Sequence, residues 1–223
     1  MKKPLVALFT KPSRTGRVKT RLVGNLSAEQ AAELHAAFLG DLEEQLASER
    51  FDLALAWALE GDESIPAGSV PAVRQRGADL GERLANGLQE LAVERPAVAA
   101  VGSDCPQLGR ARVEEAFAAL EAGADVCLGP SEDGGYYLIA VRSPALDARL
   151  FSGIAWSTEA VYGQTLAACE NLALRVAVLP RERDVDTPED LRWLSEALAR
   201  RADGCPRTRD LLALWGRLEA VHA

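Results

Sequence analysis

Residues 97–108 read AVAAVGSDCPQL. Ala97 to Val101 are all apolar, with no alternation, and Gly102 and Ser103 close the run. A continuous apolar run bounded by turn residues is expected to form a strand covered on both faces. Pro106 cannot extend a hydrogen-bonded ladder, so Asp104 stands at the strand tip. A buried strand that ends on a polar tip is the unit from which the rest of the chain can be read.

The same unit recurs on either side. Upstream, PLVALFT (4–10), FDLALAW (51–57) and the shorter VPAVRQ (70–75) read as strands. Downstream, ADVCLGP (124–130), YYLIAV (136–141) and LRVAVLP (174–180) do the same. Amphipathic stretches separate them. Ser27 with Gln30 forms a capping-box pattern, and Ala31, Leu34, Phe38, Leu42 and Leu46 then share one helical face. Further helices are expected from about Asp79, over Arg110–Ala122, Thr158–Glu170 and Thr187–Arg201, and over Thr208–Val221. Pro188 suits the first turn of the helix expected over Thr187–Arg201. Strands alternating with helices predict an α/β fold, with a mostly parallel central sheet and helices on both faces. No repeat or linker divides the chain, so residues 1–223 are expected to form a single domain.

Composition narrows the classes. The chain is 48% apolar and carries a net charge of −8, which argues against a nucleic-acid partner. No run reaches the ~18 apolar residues of a membrane span. The apolar part of the N-terminus, Leu5 to Phe9, is shorter than a signal-peptide core, and a cytoplasmic protein is expected. Cys105, Cys127, Cys169 and Cys205 lie far apart with no metal-site spacing, and read as reduced thiols in or near the core. Residues 1–28 hold Lys2, Lys3, Lys11, Arg14, Arg17, Lys19 and Arg21 and no acid. A basic segment in an acidic chain points to a local anionic ligand, or else to a solvated basic face.

In parallel sheets, ligands bind beyond the carboxyl ends of the strands. Polar residues cluster there in this sequence: Thr10 to Arg21, Gln75 to Gly81, Ser103 with Asp104, Ser131 to Gly135, and Arg183 to Asp186. In the first loop, Gly16 allows close backbone approach, and Arg17, Lys19 and Arg21 supply cations for phosphate oxygens. Gln75 and Gly77 fit either a ligand loop or an ordinary turn. Asp104 can hold Mg2+ or Mn2+ against phosphate, or cap the next helix. Asp186 presents the same choice, and Asp184 is a weaker ligand candidate. For Glu189 and Asp190 the helix dipole suffices.

Taken together, FTKPSRTGRVKTRL (9–22), GADLGERLANGL (77–88), GSDCPQL (102–108), GPSEDGGYYLIAV (129–141), IAWST (154–158) and DVDTPEDL (184–191) resemble, in this order, an uncharacterised glycosyltransferase-like family of the GT-A superfamily, the DUF2064 type. The resemblance covers roughly Leu5 to Arg200. More distantly, TGRVK is similar to the glycine-to-lysine spacing of molybdopterin guanylyltransferases, DVDTPEDL to the end of sugar nucleotidyltransferases, and DGG to phospholactate guanylyltransferases. The resemblance implies a Rossmann-like GT-A, or nucleotide-diphospho-sugar transferase, fold. Thr10, Lys11, Gly16, Arg17, Lys19, Arg21, Gln75, Gly77, Gly81 and Ser103 would then lie against the nucleotide and its phosphates. Asp104 and Asp186, with Asp184 beside them, would hold Mg2+ or Mn2+. In one respect the sequence departs from the superfamily: where D-x-D is usual, it reads Gly102-Ser103-Asp104.

The activity this implies is transfer of a sugar from a nucleotide-diphospho-sugar to a small-molecule acceptor. Asp133 is the candidate base for the acceptor hydroxyl, with Asp104 beside the reacting phosphates. Gly134, Gly135, Tyr136, Trp156, Ser157 and Thr158 would line the acceptor side, core packing being the competing role for Trp156. Nucleotidyl transfer to a phosphorylated metabolite, with pyrophosphate release, is the alternative chemistry. A nucleotide-binding protein without catalysis is a third reading. The sequence is compatible with a homodimer and leaves oligomeric state open.

Overall fold

The computed structural model of the chain describes residues 2–200 and 204–218. A seven-stranded sheet forms the centre, built from β1 (Leu5–Thr10), β2 (Asp52–Trp57), β3 (Ala72–Arg74), β4 (Ala97–Gly102), β5 (Val126–Pro130), β6 (Tyr136–Arg142) and β7 (Val176–Val178). Their spatial order is β3-β2-β1-β4-β6-β5-β7. Pairing is parallel except for β6, which runs antiparallel to both β4 and β5. The helices are α1 (Ala28–Gln45), α2 (Leu80–Leu91), α3 (Arg110–Glu121), α4 (Val161–Asn171), α5 (Pro188–Arg200) and α6 (Pro206–Leu214).

The apolar runs are buried on both faces, as their lack of alternation requires. Val6 and Leu8 of β1 pack with Leu39 and Leu42 of α1 and with Val113 and Phe117 of α3. Leu5, Ala7 and Phe9 point the other way, toward Leu84 and Leu88 of α2 and Cys169 of α4. A third cluster joins Leu34 and Phe38 of α1 to Leu191, Leu194 and Leu198 of α5 and to Leu212 of α6. Val185, just before α5, is buried in this cluster. All of the cysteines are free and buried, as their spacing suggested. No described helix is long and apolar enough to cross a membrane.

The local signals act as the sequence predicts in most places. Ser27 and Gln30 form both halves of the capping box. Asp79 caps α2 through the amide of Glu82, and Pro188 opens α5. The fourth helix begins at Val161 rather than Thr158. There Ser157 has a left-handed backbone (φ 64), and the Thr158 hydroxyl donates to the Ala155 carbonyl at 2.7 Å. That turn delays the helix. The final helix begins at Pro206, two residues earlier than expected, and ends at Leu214; the expected extension over 219–221 lies outside the described residues, as does Arg201.

The register places the chemistry. Phe9 pairs with Gly102, so the carboxyl ends of β1 and β4 are level, with Thr10 and Lys11 beside Ser103 and Asp104. On the other side of β1 lie β2 and β3, and this change of direction opens a crevice. The β5–β6 hairpin brings residues 131–135 to the same end of the sheet.

One buried carboxylate ties the C-terminal helix to this frame. Asp41 of α1, fully buried, accepts hydrogen bonds from the Arg207 and Thr208 amides, both at 2.9 Å, and from the Thr208 hydroxyl at 2.6 Å. Asp41→Ala leaves these donors unsatisfied and is expected to cost about 2–4 kcal/mol, at ~1–3 kcal/mol per buried unpaired group. Urea denaturation measures the loss; a change within about 0.5 kcal/mol would show that α6 is held by its apolar face alone.

Candidate functional site

Beyond the carboxyl ends of the strands lies a two-lobed crevice. The larger lobe, about 500 Å3, is lined by Thr10, Lys11, Lys19, Gln75, Arg83 and Ser103, among others. A smaller lobe, about 360 Å3, is lined by Ser131, Asp133, Gly135, Tyr136, Trp156 and Asp184, with their neighbours. Arg21, Leu80, Asp104, Ser157 and Asp186 border both. The two aspartates therefore stand at the seam, where two ligands would meet.

Neither aspartate is occupied by helix capping. The N-cap of α3 is Gly109. At α5, Asp190 and Thr187 cap reciprocally: Asp190 accepts from the Thr187 amide at 2.8 Å, and its own amide donates to the Thr187 hydroxyl at 3.3 Å. The carboxylates of Asp104 and Asp186 are left to face the crevice and converge on Lys19. The Lys19 ammonium donates to Asp104 Oδ1, to the Val185 carbonyl at 2.7 Å and to Asp186 Oδ1 at 3.2 Å. It also lies 5.3 Å from the centre of the Phe38 ring. The Lys19 side chain is 2% exposed, against 46% for Asp104 and 37% for Asp186. Burial works to lower the Lys19 pKa, but Asp104 and Asp186 outweigh it and hold the ammonium above its ordinary value. For Asp104, burial works upward and Lys19 prevails, holding the carboxyl below its ordinary value.

Asp184 has no such partner. Burial, then the charges of Asp104, Asp133 and Asp186, push its pKa up to about 7. The crevice thus carries more negative charge than Lys19 neutralises. Such a donor set fits a hard divalent cation: two half-open carboxylates converge, with a third nearby. No described group of three or more His, Cys, Asp and Glu side chains forms a ready-made cage. Mg2+ is commonly held by one or two carboxylates with substrate phosphates completing its shell.

Of the expected phosphate-side residues, Thr10, Lys11, Lys19, Arg21, Gln75 and Ser103 line the larger lobe. Gly16 and Arg17 do not: both are exposed, and Arg17 lies 3.7 Å from Glu60. Gly77 serves a turn, with φ 145 and the start of α2 packed where a side chain would go. Gly81 is buried, and its empty side-chain position is filled by the Phe151 carbonyl and the Trp156 indole. These four glycine and arginine positions shape or flank the site without lining it. Of the expected acceptor-side residues, Gly135, Tyr136, Trp156, Ser157 and Thr158 line the smaller lobe, and Trp156 meets Tyr136 edge to face at 6.4 Å. Gly134 leaves no space for a ligand, because the Glu159 backbone fills it. Asp133 Oδ1 accepts from the Gly135 amide at 2.9 Å and from the Ser131 hydroxyl, so one oxygen holds the turn.

Two residues of the larger lobe were not expected from sequence. Arg83, in the first turns of α2, is a cation placed against the helix dipole. His35 of α1 is 2% exposed and joins three polar groups: Ser13 Oγ at 2.8 Å, Ser103 Oγ at 3.3 Å and Thr10 Oγ1 at 3.5 Å. Burial lowers its pKa to about 4, so the ring is neutral near pH 7.

Two measurements check this geometry. With its pKa at about 7, Asp184 keeps in the folded chain a proton that the unfolded chain loses near pH ~4. Its contribution to stability therefore falls as pH rises from about 4 to about 7. Asp184→Asn, in EDTA, is expected to raise the melting temperature more at pH 8 than at pH 5; equal shifts would rule out the raised pKa. Gly134→Ala combines a φ of 88 with a contact of 2.4 Å to the Glu159 carbonyl, and is expected to destabilise the fold. Gly135→Ala presses only on Asp133 Oδ1 at 3.1 Å and Ser131 Oγ at 3.2 Å. It is expected to cost less stability than Gly134→Ala; an equal loss would mean the turn has no slack.

Comparisons with known proteins agree with this architecture. The chain is similar over 98% of its length to a structure from Desulfovibrio desulfuricans G20, provisionally described as a nucleotide-diphospho-sugar transferase, at 31% identity, 97% coverage of that chain and TM-score 0.88. A cytidylyltransferase from Leptospira borgpetersenii serovar Hardjo-bovis shares the fold at 12% identity and TM-score 0.61, covering 100% of this chain and 99% of that one. Rv0371c of Mycobacterium tuberculosis H37Rv, solved as a manganese complex, shares it at 16% identity and TM-score 0.50, covering 86% and 97%. No curated protein matches the chain. Residues 27–158 match the family described as an uncharacterized protein conserved in bacteria, DUF2064. With more than half of its length matched, the chain belongs to the DUF2064 family.

Proposed function

We propose that the chain is a single-domain, divalent-metal-assisted glycosyltransferase that moves a sugar from a nucleotide-diphospho-sugar to an uncharged, hydroxyl-bearing small molecule. One observation carries this reading: the crevice divides into a cationic lobe and an acidic, aromatic lobe that meet at Asp104 and Asp186. Lys11, Arg21 and Arg83 suit the pyrophosphate of the donor, since arginine grips phosphate oxygens with paired N–H groups. Asp104 and Asp186 would hold Mg2+ or Mn2+, in keeping with the manganese complex of Rv0371c. That ion, when bound, supplies positive charge against the departing nucleoside diphosphate.

The acceptor hydroxyl would enter the smaller lobe. Tyr136 and Trp156 offer apolar ring surface there. Asp133 keeps Oδ1 in its turn, and Oδ2 is the atom proposed to take the acceptor proton as the glycosidic bond forms. Asp104, Asp133, Glu159, Asp184 and Asp186 line this lobe, with Arg21 as the cation among the described residues. So many acids repel a phosphorylated second substrate and favour a neutral one.

Nucleotidyl transfer is the second reading. It is supported by the fold likeness to a cytidylyltransferase and by the basic first loop. The acid excess of the smaller lobe weighs against it.

Purified protein with Mn2+, a panel of nucleotide-sugars and neutral hydroxylic acceptors is expected to release a nucleoside diphosphate. Pyrophosphate release from a nucleoside triphosphate and a phosphorylated metabolite, with no nucleotide-sugar turned over, would overturn the glycosyl reading. Asp133→Asn preserves the Oδ1 acceptor of the turn. It is expected to lower kcat by ~100-fold or more, the usual range for losing a general base, with little change in donor KM.

A further inference from the structure

Lys19 has no capacity left for a phosphate. An ammonium carries three N–H donors. Asp104 Oδ1, the Val185 carbonyl and Asp186 Oδ1 accept from it, which accounts for that number. The side chain is 2% exposed, yet the carboxylates it joins are 46% and 37% exposed. Its ammonium stands where two carboxylates converge at the seam of the lobes.

We propose that Lys19 and a divalent cation exclude each other at Asp104 and Asp186, and that nucleotide phosphate tips the exchange toward the cation. This deepens the function proposed above and rests on its metal reading. An ion shared by the same two carboxylates needs oxygens at ~2.1 Å, closer than any ammonium contact, so both cations cannot occupy the point together. Among the described residues of the free protein, Lys19 is the one cation shared by both carboxylates, with the Arg21 guanidinium 3.7 Å from the other oxygen of Asp186; a divalent ion would answer both carboxylates from one point. For the ion to enter, Lys19 must leave.

The structure offers Lys19 a destination. Lys19 lines the larger lobe beside Lys11 and Arg21. A phosphate bound there replaces the acceptors that the ammonium gives up. Lys19 also holds a left-handed backbone (φ 47, ψ 38), a conformation that side-chain-bearing residues adopt only when their surroundings impose it. Phosphate draws Lys19 off the carboxylates, and the ion takes them. By linkage, the help runs equally in both directions. Nucleotide and ion thus bind cooperatively through one side chain that neither would share with the other.

The test is Mn2+ binding, read by electron paramagnetic resonance of the free ion, with and without UDP or GDP, corrected for chelation by the nucleotide alone. Wild type is expected to bind Mn2+ weakly, and on the order of tenfold more tightly with nucleotide. Lys19→Met is expected to bind Mn2+ about tenfold more tightly than wild type without nucleotide, and to gain less than wild type does from adding it, keeping only the part due to phosphate completing the ion's shell. Lys19→Arg, which keeps a cation at the seam, should follow wild type. A Lys19→Met variant that binds Mn2+ no more tightly than wild type overturns the exchange. If Asp104→Asn leaves Mn2+ binding of the nucleotide complex unchanged, the metal reading itself fails, and the exchange with it. A measurement on wild type guards against a variant that does not fold. The protected Lys19 ammonium, seen by 15N NMR, should persist with nucleotide absent and lose protection when Mg2+ and nucleotide are added together. Protection unchanged in the presence of both overturns the proposal.

Discussion

One buried ammonium holds the crevice together. Lys19 joins the loop after β1, the tip of β4 and the segment leading into α5, three pieces of chain with no local reason to meet. A backbone bond from the Val185 amide to the Asp104 carbonyl at 2.8 Å runs alongside it. Val185 is itself pinned by the third apolar cluster, so α1, α5 and α6 fix the depth at which Lys19 finds its carbonyl. An ammonium this deeply buried costs several kcal/mol unless it is fully paired. The surrounding loops are therefore under strong constraint to keep its acceptors in place.

Around that point the crevice is asymmetric in charge. The basic character of residues 1–28 is largely spent within the protein: Lys2 meets Glu94, Arg14 meets Glu63, Arg17 lies near Glu60, and Lys19 is enclosed by acids. Lys11, Arg21 and Arg83 are the cations that face the larger lobe with Lys19. The smaller lobe has the opposite excess, which adds to burial in raising the Asp184 pKa to about 7. A neutral His35 supports the larger lobe from below, linking Thr10, Ser13 and Ser103 without adding charge.

The alternation of strands and helices, and the polar tips after the strands, were readable because each rests on local chemistry. The capping box at Ser27 and the strand end at Asp104 need only a few neighbouring residues. The direction of β6 was also encoded, in the short gap between Pro130 and Tyr136: a parallel return needs a crossover of about a dozen residues or more. His35 left a weaker trace, as a polar residue on the buried face defined by Ala31, Phe38 and Leu42. Gly77, Gly81 and Gly134 were legible as special positions, but not the neighbours that fill the space beside them. What no local pattern could give was the state of Lys19. Its carboxylate partners lie 85 and 167 residues away, and only the assembled fold turns a lysine of the loop after β1 into an internal counter-ion.

The two lobes also differ in how they are built. The larger one is set by the level ends of β1 and β4 at the centre of the sheet, where a change in either strand disturbs two apolar clusters at once. The smaller one is made mainly from the 131–135 turn and the 154–161 loop, which the Tyr162 amide ties together through the Gly134 carbonyl at 2.9 Å. Side chains on that loop pair can be exchanged without rebuilding the sheet. Such a division lets the lining of the smaller lobe vary while the larger lobe stays fixed.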